Sequence, residues 1–377
     1  MVLMALDHTR DFFTNIPFQP EDVSHTYGAL FVTRFVTHFC APVFSLLAGT
    51  GAYLAVSRGK SVAEISRFFW TRGLWLVFLE FTIVGFSWTF SVPWGFAAVI
   101  WALGCSMIFM SLIVRLPPRW IAAIGVTMIA GHNLLDKITP DSLGKLAPLW
   151  MVLHSPGMIW IKQPTVGVLI FYPLIPWLGV MACGYALGAL LQRDDRAGWL
   201  LRIGAGLTLV FFLLRGFNLY GNGTAGYFFS IGPWQAQPAA SLTAISFFNV
   251  QKYPPSLDYL LVTLGPALIA LGLFDRIKDP RGWARIFTVY GRVPMFYYVL
   301  HIYLIHVIAI VLALSLHQPA AWLWHGGIAV PKPEGYGHGL PFIYLMWITV
   351  VALLYLPCRW FMGFKARHRD WAWLSYV

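Results

Sequence analysis

Charge is scarce in this chain, and acidic charge scarcer still. Asp and Glu number 15 against 26 Lys and Arg in 377 residues, and charged residues make up 11% of the total. A soluble globular domain carries about 25%, so a water-soluble protein with a charged shell is excluded. Cysteine is equally rare. Cys40, Cys105, Cys183 and Cys358 lie in or at the ends of apolar segments, with no ligand spacing. They read as small core residues, and neither a disulfide framework nor a metal is expected. There is no P-loop, no Rossmann glycine pattern, no Gly-x-Ser-x-Gly elbow and no His-Glu-x-x-His helix. No internal repeat supports a transporter-style inverted duplication.

What is present is apolar and aromatic. Hydrophobic residues are 58% of the chain, aromatics 17%, and 18 of the latter are Trp, as expected of rings anchored at membrane interfaces. Stretches able to cross a ~30 Å core fall near residues 1–13, 30–56, 68–90, 93–114, 120–135, 166–191, 199–216, 257–274, 293–315 and 340–358. The expected fold is an all-α polytopic bundle of about ten spans, forming a single integral-membrane domain over residues 1–377. The first span falls short of the ~20 residues needed, so it reads as truncated, with the native start upstream of Met1.

Basic residues cluster in alternate loops: Arg58, Lys60 and Arg67, then Arg115 and Arg119, then Arg193 and Arg196. Arg276, Lys278, Arg281 and Arg285 follow, and Lys365, Arg367 and Arg369 form the tail. By the positive-inside rule these segments are cytoplasmic, as are both termini. The net charge of +11 therefore reflects topology, and no nucleic-acid partner is expected; the partners are membrane lipid, with a homodimer left open. The opposite loops, 14–29, 136–165, 217–256 and 316–339, are long and rich in Gly, Pro and Trp. Long irregular loops are commonly functional, so the outer face is expected to handle a substrate.

Against this background, ionisable groups inside apolar stretches stand out. Asp7, His8 and Arg10 occupy the first stretch; Arg34 and His38 occupy the second. Facing lipid alone, these five would cost on the order of 10 kcal/mol, so they must face one another or a wet cavity. Arg34 and His38, four apart, share a helical face, and Asp7 and Arg10 are spaced for a local ion pair. A polar network that merely locks two helices together is the bland alternative. Tyr297 and His301 share a later helix face, whereas His306 points elsewhere and reads as a packing histidine. Glu80, in mid-span, is expected to pair with a base or to be protonated. Arg215 and Asp258 are placed to pair across adjacent spans, and Ser256 to cap a helix.

The segments VLMALDHTRDFF, TRFVTHFCAPVFSLLAGTGAYL and GRVPMFYYVLHIYLIH, with RGFNLYGN and YPPSLDYLL between them, resemble bacterial members of the heparan-α-glucosaminide N-acetyltransferase-like family. The TRxxTHFCAPxFxxLAG block is the most specific part. The resemblance implies a membrane acyltransferase that takes acetyl from cytosolic acetyl-CoA, a co-substrate, and delivers it to a glycan across the membrane. Laid on this sequence, the family's first-span asparagine falls on His8 and its second-span aspartate on His38. Its late-helix histidine falls on His301, and its active histidine falls near His25.

The expected function is transfer of acetyl to a hydroxyl or amine of an extracytoplasmic sugar or glycan, in a bacterial inner membrane. His38 and His8 are the candidate bases or nucleophiles, with His301 beside them. Asp7 would orient an imidazole, and Arg34 would stabilise developing negative charge or neutralise Asp7. Arg285 and Arg292, with Arg276, Lys278 and Arg281, are candidates for the phosphates of acetyl-CoA. The alternatives are a proton-coupled small-molecule transporter running through Asp7, His8 and His38, and a non-catalytic membrane scaffold.

Overall fold

Apolar runs with few breakers become helices along nearly the whole chain. The computed structural model describes residues 1–91, 94–163, 166–223, 230–277, 282–368 and 370–376. Helices α1 (Val2–Phe13), α2 (Gly28–Thr37), α3 (Cys40–Ser57) and α4 (Val62–Leu79) lead into a π-helical turn (Glu80–Val84) and α5 (Gly85–Thr89). Strand β1 (Trp94–Ala97), α6 (Val99–Ile113), α7 (Pro118–Gly131), α8 (Ala147–Leu153), β2 (Gly157–Lys162) and β3 (Val166–Ile170) follow. Next come α9 (Leu174–Leu190), α10 (Arg196–Gly216), α11 (Ala240–Phe248) and α12 (Leu257–Phe274). The chain ends with α13 (Trp283–Arg292), α14 (Pro294–Ser315), α15 (Ala321–Trp324) and α16 (Leu340–Arg367). Among the described residues, six helical stretches are long and apolar enough to cross a membrane: 28–57, 62–89, 196–216, 257–274, 294–315 and 340–367. The architecture is all-α and polytopic apart from one small sheet of order β1-β3-β2.

Three sequence expectations change. The span at 166–191 begins as a strand, because Val166-Gly167-Val168 pairs antiparallel with β2, Val168 opposite Ile159, and Pro173 delays the helix to Leu174. The stretch 30–56 is interrupted at His38–Phe39 between α2 and α3. Pro42 supplies the cause: its missing N–H and its ring deny an intrahelical bond to the carbonyl four residues back, that of His38. The outer loops also carry structure, since α8 and β2 fall in 136–165 and α11 in 217–256.

The chain folds into two compact units. One comprises Met1–Cys40, Phe81–Trp94 and Asp279–Val377; the other comprises Ala41–Glu80 and Gly95–Lys278. In the second unit, helix pairs meet at glycines. A Cβ on Gly104 would lie 2.7 Å from the Gly73 carbonyl oxygen and 2.9 Å from Val77, so α4 and α6 touch backbone to backbone, the usual device of membrane helices.

The polar groups of this unit are spent on carbonyls and helix ends. Glu80 accepts the Trp101 N–H at 2.8 Å; it needs no basic partner, because the first turn of α6 supplies unpaired donors and the positive end of the helix dipole. Arg215 is fully buried and donates to the carbonyls of Phe247, Gly232, Ser246 and Asn249 and to Asn222. Asp258 lies 3.7 Å away, so the expected pair forms as one part of a clasp on Asn222, Gly232 and residues 246–249. Ser256 caps α12 by accepting the Tyr259 N–H.

Replacing Gly104 by Val should destabilise the protein by about 1–3 kcal/mol, the range for overpacked cores. A lowered midpoint in a detergent thermal-shift assay would register it, whereas the same change at Gly206, where an added Cβ meets nothing, should leave the midpoint in place.

Candidate active site

The first unit gathers α1 against α2, α14 and α16, and most of the ionisable residues singled out in the sequence lie along α1 and α2. Arg34 is the hub. Its Nη1 donates to both carboxylate oxygens of Asp7 at 2.9 Å, and its Nε donates to Glu21 at 2.6 Å. Arg10 Nη2 contacts Asp7 at 2.9 Å and Asp11 at 2.7 Å. Arg34, Arg10, Asp7 and Glu21 are all buried. The expected Asp7–Arg10 pair is therefore part of a larger network, in which Arg34 is shared between two carboxylates.

Glu21 is the member that sequence reasoning missed, being an acidic residue in a loop. Charge balance gave no clue, since Asp7 and Asp11 on α1 already match the two arginines. Through Glu21, the segment between α1 and α2 is tied down onto the helices. It also carries His25, exposed, whose Nδ1 sits 2.7 Å from Asp22 and 2.9 Å from Ser24. Hydrogen bonds from Ser24 and His25 hold the Asp22 carboxyl below its ordinary range.

On the neighbouring face of α1, His8 meets His301 of α14. His8 Nδ1 and His301 Nε2 are 2.7 Å apart, with the rings stacked at 4.9 Å between centroids. His301 Nδ1 lies 3.0 Å from the Tyr297 carbonyl oxygen, which can only accept. His301 thus carries its proton on Nδ1 and offers the Nε2 lone pair, so His8 must donate from Nδ1. Neutral His8 then has Nε2 as its basic nitrogen. His301 is fully buried and His8 only half-buried. Trp88 packs edge-on against the His8 ring at 4.6 Å.

Other histidines play other parts. His306 is fully buried, with Nδ1 2.8 Å from the Ser87 carbonyl and Nε2 2.9 Å from that of Leu323. It clamps α14 to α5 and α15, the packing role expected for it. His38 caps the C-terminus of α2 at the Pro42 break; it is buried, with the Phe35 ring 6.0 Å away. Arg285 and Arg292 are exposed on α13. Lys278, Arg281 and Arg369 lie outside the described residues.

The end of α1 is sealed by the segment before α16. His338 N–H donates to the Phe13 carbonyl at 2.7 Å, Tyr336 Oη to that of Phe12 at 2.9 Å, and Lys332 Nζ to that of Thr14 at 3.2 Å. These partners take up carbonyls that a helix end leaves open. Gly337, at φ +95°, allows the approach, since a Cβ there would lie 2.6 Å from the Thr14 oxygen.

A family model described as heparan-alpha-glucosaminide N-acetyltransferase, catalytic, matches residues 1–219, more than half of the chain. The chain belongs to this family. It is an integral-membrane protein of an acetyltransferase family, consistent with its apolar helices. The matched region holds Asp7, His8, Arg10, Glu21, Arg34 and His38, while His301 lies beyond it. No curated protein and no solved structure matches the chain.

Two outcomes follow from the network. Replacing Arg34 by Met strands Asp7 and Glu21 as buried, half-compensated carboxylates, and should cost about 3–5 kcal/mol; loss of monodisperse protein on size exclusion would register it. Burial, assisted by Arg10, pushes the Lys332 ammonium down to about 8 from 10.5, against the opposing pull of Asp11. Between those pH values the unfolded chain holds a proton that the folded one has released, so stability should rise with pH. Thermal midpoints across that window should climb more steeply for the wild type than for Lys332→Met.

Proposed function

We propose that the protein transfers acetyl from acetyl-CoA to a hydroxyl or amine of an extracytoplasmic glycan, with His8 as the group that handles the acceptor's proton. The observation that carries the reading is the directed pair of imidazoles. The Tyr297 carbonyl sets the His301 tautomer and His301 sets that of His8, leaving Nε2 of the half-buried ring basic. When the acceptor attacks the thioester carbonyl, Nε2 takes the proton from its O–H or N–H. The C–S bond breaks, the acyl–oxygen or acyl–nitrogen bond forms, and the proton passes to the departing CoA thiolate. The imidazolium formed on the way is steadied by its Nδ1–H bond to His301. His301 is thus a positioning residue, and Asp7 and Arg34 hold α1 where His8 can act.

Acetyl-CoA would come from the cytoplasm, where the loop charges put Arg285 and Arg292 within reach of its phosphates. Both termini would be cytoplasmic and the membrane a bacterial inner membrane. Within the same unit, His25 is a second candidate for the proton-handling step, because Asp22 orients it as a carboxylate orients a general base. His38, inside the most specific block of the sequence, is a third.

The test follows radiolabelled acetyl from acetyl-CoA into glycans extracted from the cell envelope. His8→Ala should lower turnover by about 10²–10⁴-fold in folded protein. His301→Ala should lower it less, and His301→Gln, which keeps an acceptor for the His8 Nδ1–H, should recover part of the loss. Near-normal turnover in monodisperse His8→Ala would move the role to His25 or His38, whose alanine variants should then be inactive.

A further inference from the structure

The close crossing of α4 and α6 at Gly73 and Gly104 has an open counterpart nearer the basic loops. There the two helices flank a cleft of about 480 Å³ lined by Ser66, Arg67, Trp70, Ser111, Leu112 and Arg115. Its volume is that of a small-molecule site. Ser66 Oγ donates to the Ser111 carbonyl at 2.7 Å and ties the two walls together. Arg67 stands roughly 9 Å along α4 from the cap residue Ser61, and Arg115 follows the last turn of α6, so both guanidinium groups border the same opening. Both arginines are exposed. The nearest acidic residue on α4, Glu64, is engaged by the N–H and Oγ of Ser61. Two guanidinium groups at one cleft, with no carboxylate among its described lining residues, form a receptor for a phosphate ester.

The flanks indicate which phosphate ester. Trp70 is 47% exposed and Leu112 70% exposed, each on a helix of a membrane protein, so the cleft opens towards acyl chains. Trp at the interface and arginines reaching to headgroup level suit an amphiphile with an anionic head, and basic pockets between membrane helices hold such heads. We propose that this cleft is a binding site for an anionic phospholipid, its phosphate between Arg67 and Arg115 and an acyl chain along Trp70 and Leu112.

The experiment uses full-length, delipidated protein and native mass spectrometry with dioleoyl phosphatidylglycerol against dioleoyl phosphatidylcholine. The wild type should retain phosphatidylglycerol preferentially. Arg67→Gln with Arg115→Gln should weaken that retention by about thirtyfold, at roughly 1 kcal/mol per basic residue, and the paired Lys variant should keep most of it. Arg119→Gln, on the same basic loop but outside the cleft, should change nothing. Equal retention by the double Gln variant, or an equal loss in Arg119→Gln, would overturn the site. A raised acetyl-CoA KM in the double variant with phosphatidylglycerol retention intact would overturn the lipid assignment in favour of the soluble phosphate ester.

Discussion

Everything around the candidate active site depends on Arg34 staying charged inside a water-poor interior. An isolated guanidinium there is prohibitive, and the carboxylates of Asp7 and Glu21 make it tolerable only in bidentate or close geometry. That demand fixes α1 against α2 through Asp7 and fixes the intervening segment through Glu21. Arg10, bonded to Asp7 and Asp11, extends the same constraint towards Lys332 and the sealed end of α1. The network contributes little net stability relative to a well-packed apolar core. What it provides is one allowed register of α1, and with it one position for His8.

The imidazole pair gains its direction from a single carbonyl. Were Tyr297 to offer a donor in place of its C=O, the His301 proton would move to Nε2, His8 Nδ1 would have to accept it, and neutral His8 would carry its own proton on Nε2, leaving that nitrogen without a basic lone pair. Burial reinforces the asymmetry, because His301 is enclosed while His8 keeps some exposure. A proton taken up by the pair is therefore held on His8 with His301 as its hydrogen-bond acceptor. The two histidines are thus distinguished by hydrogen bonding and burial, although both sit in similar aromatic surroundings.

The sequence disclosed the parts of this site that are local. Insertion cost alone pointed to Asp7, His8, Arg10, Arg34 and His38, and helical spacing gave the Asp7–Arg10 pair. It could not disclose the contact between His8 and His301, separated by 293 positions, because no spacing rule relates residues on distant helices. Resemblance marked both positions without saying that they touch. Glu21 was hidden because loop acids are ordinarily solvated. Helix type was legible from apolar runs; helix limits were not, where Pro42 broke one run and where Val166–Ile170 found a strand partner. Glu80 was open between a basic partner and a proton; only the basic partner is set aside, because the first turn of α6 supplies the donor that its carboxyl accepts.

The site is also assembled from regions far apart in the chain. Its most specific sequence block lies within residues 1–219, matched by the family model, yet His301, Tyr336 and Lys332 belong to the last hundred or so residues of the same unit. The early segment supplies His8 and the ion network; the late segment supplies the tautomer control and seals the carbonyls of Phe12, Phe13 and Thr14. Neither is complete without the other, since α1 alone would end in unpaired carbonyls and His8 would lose the acceptor that directs its proton.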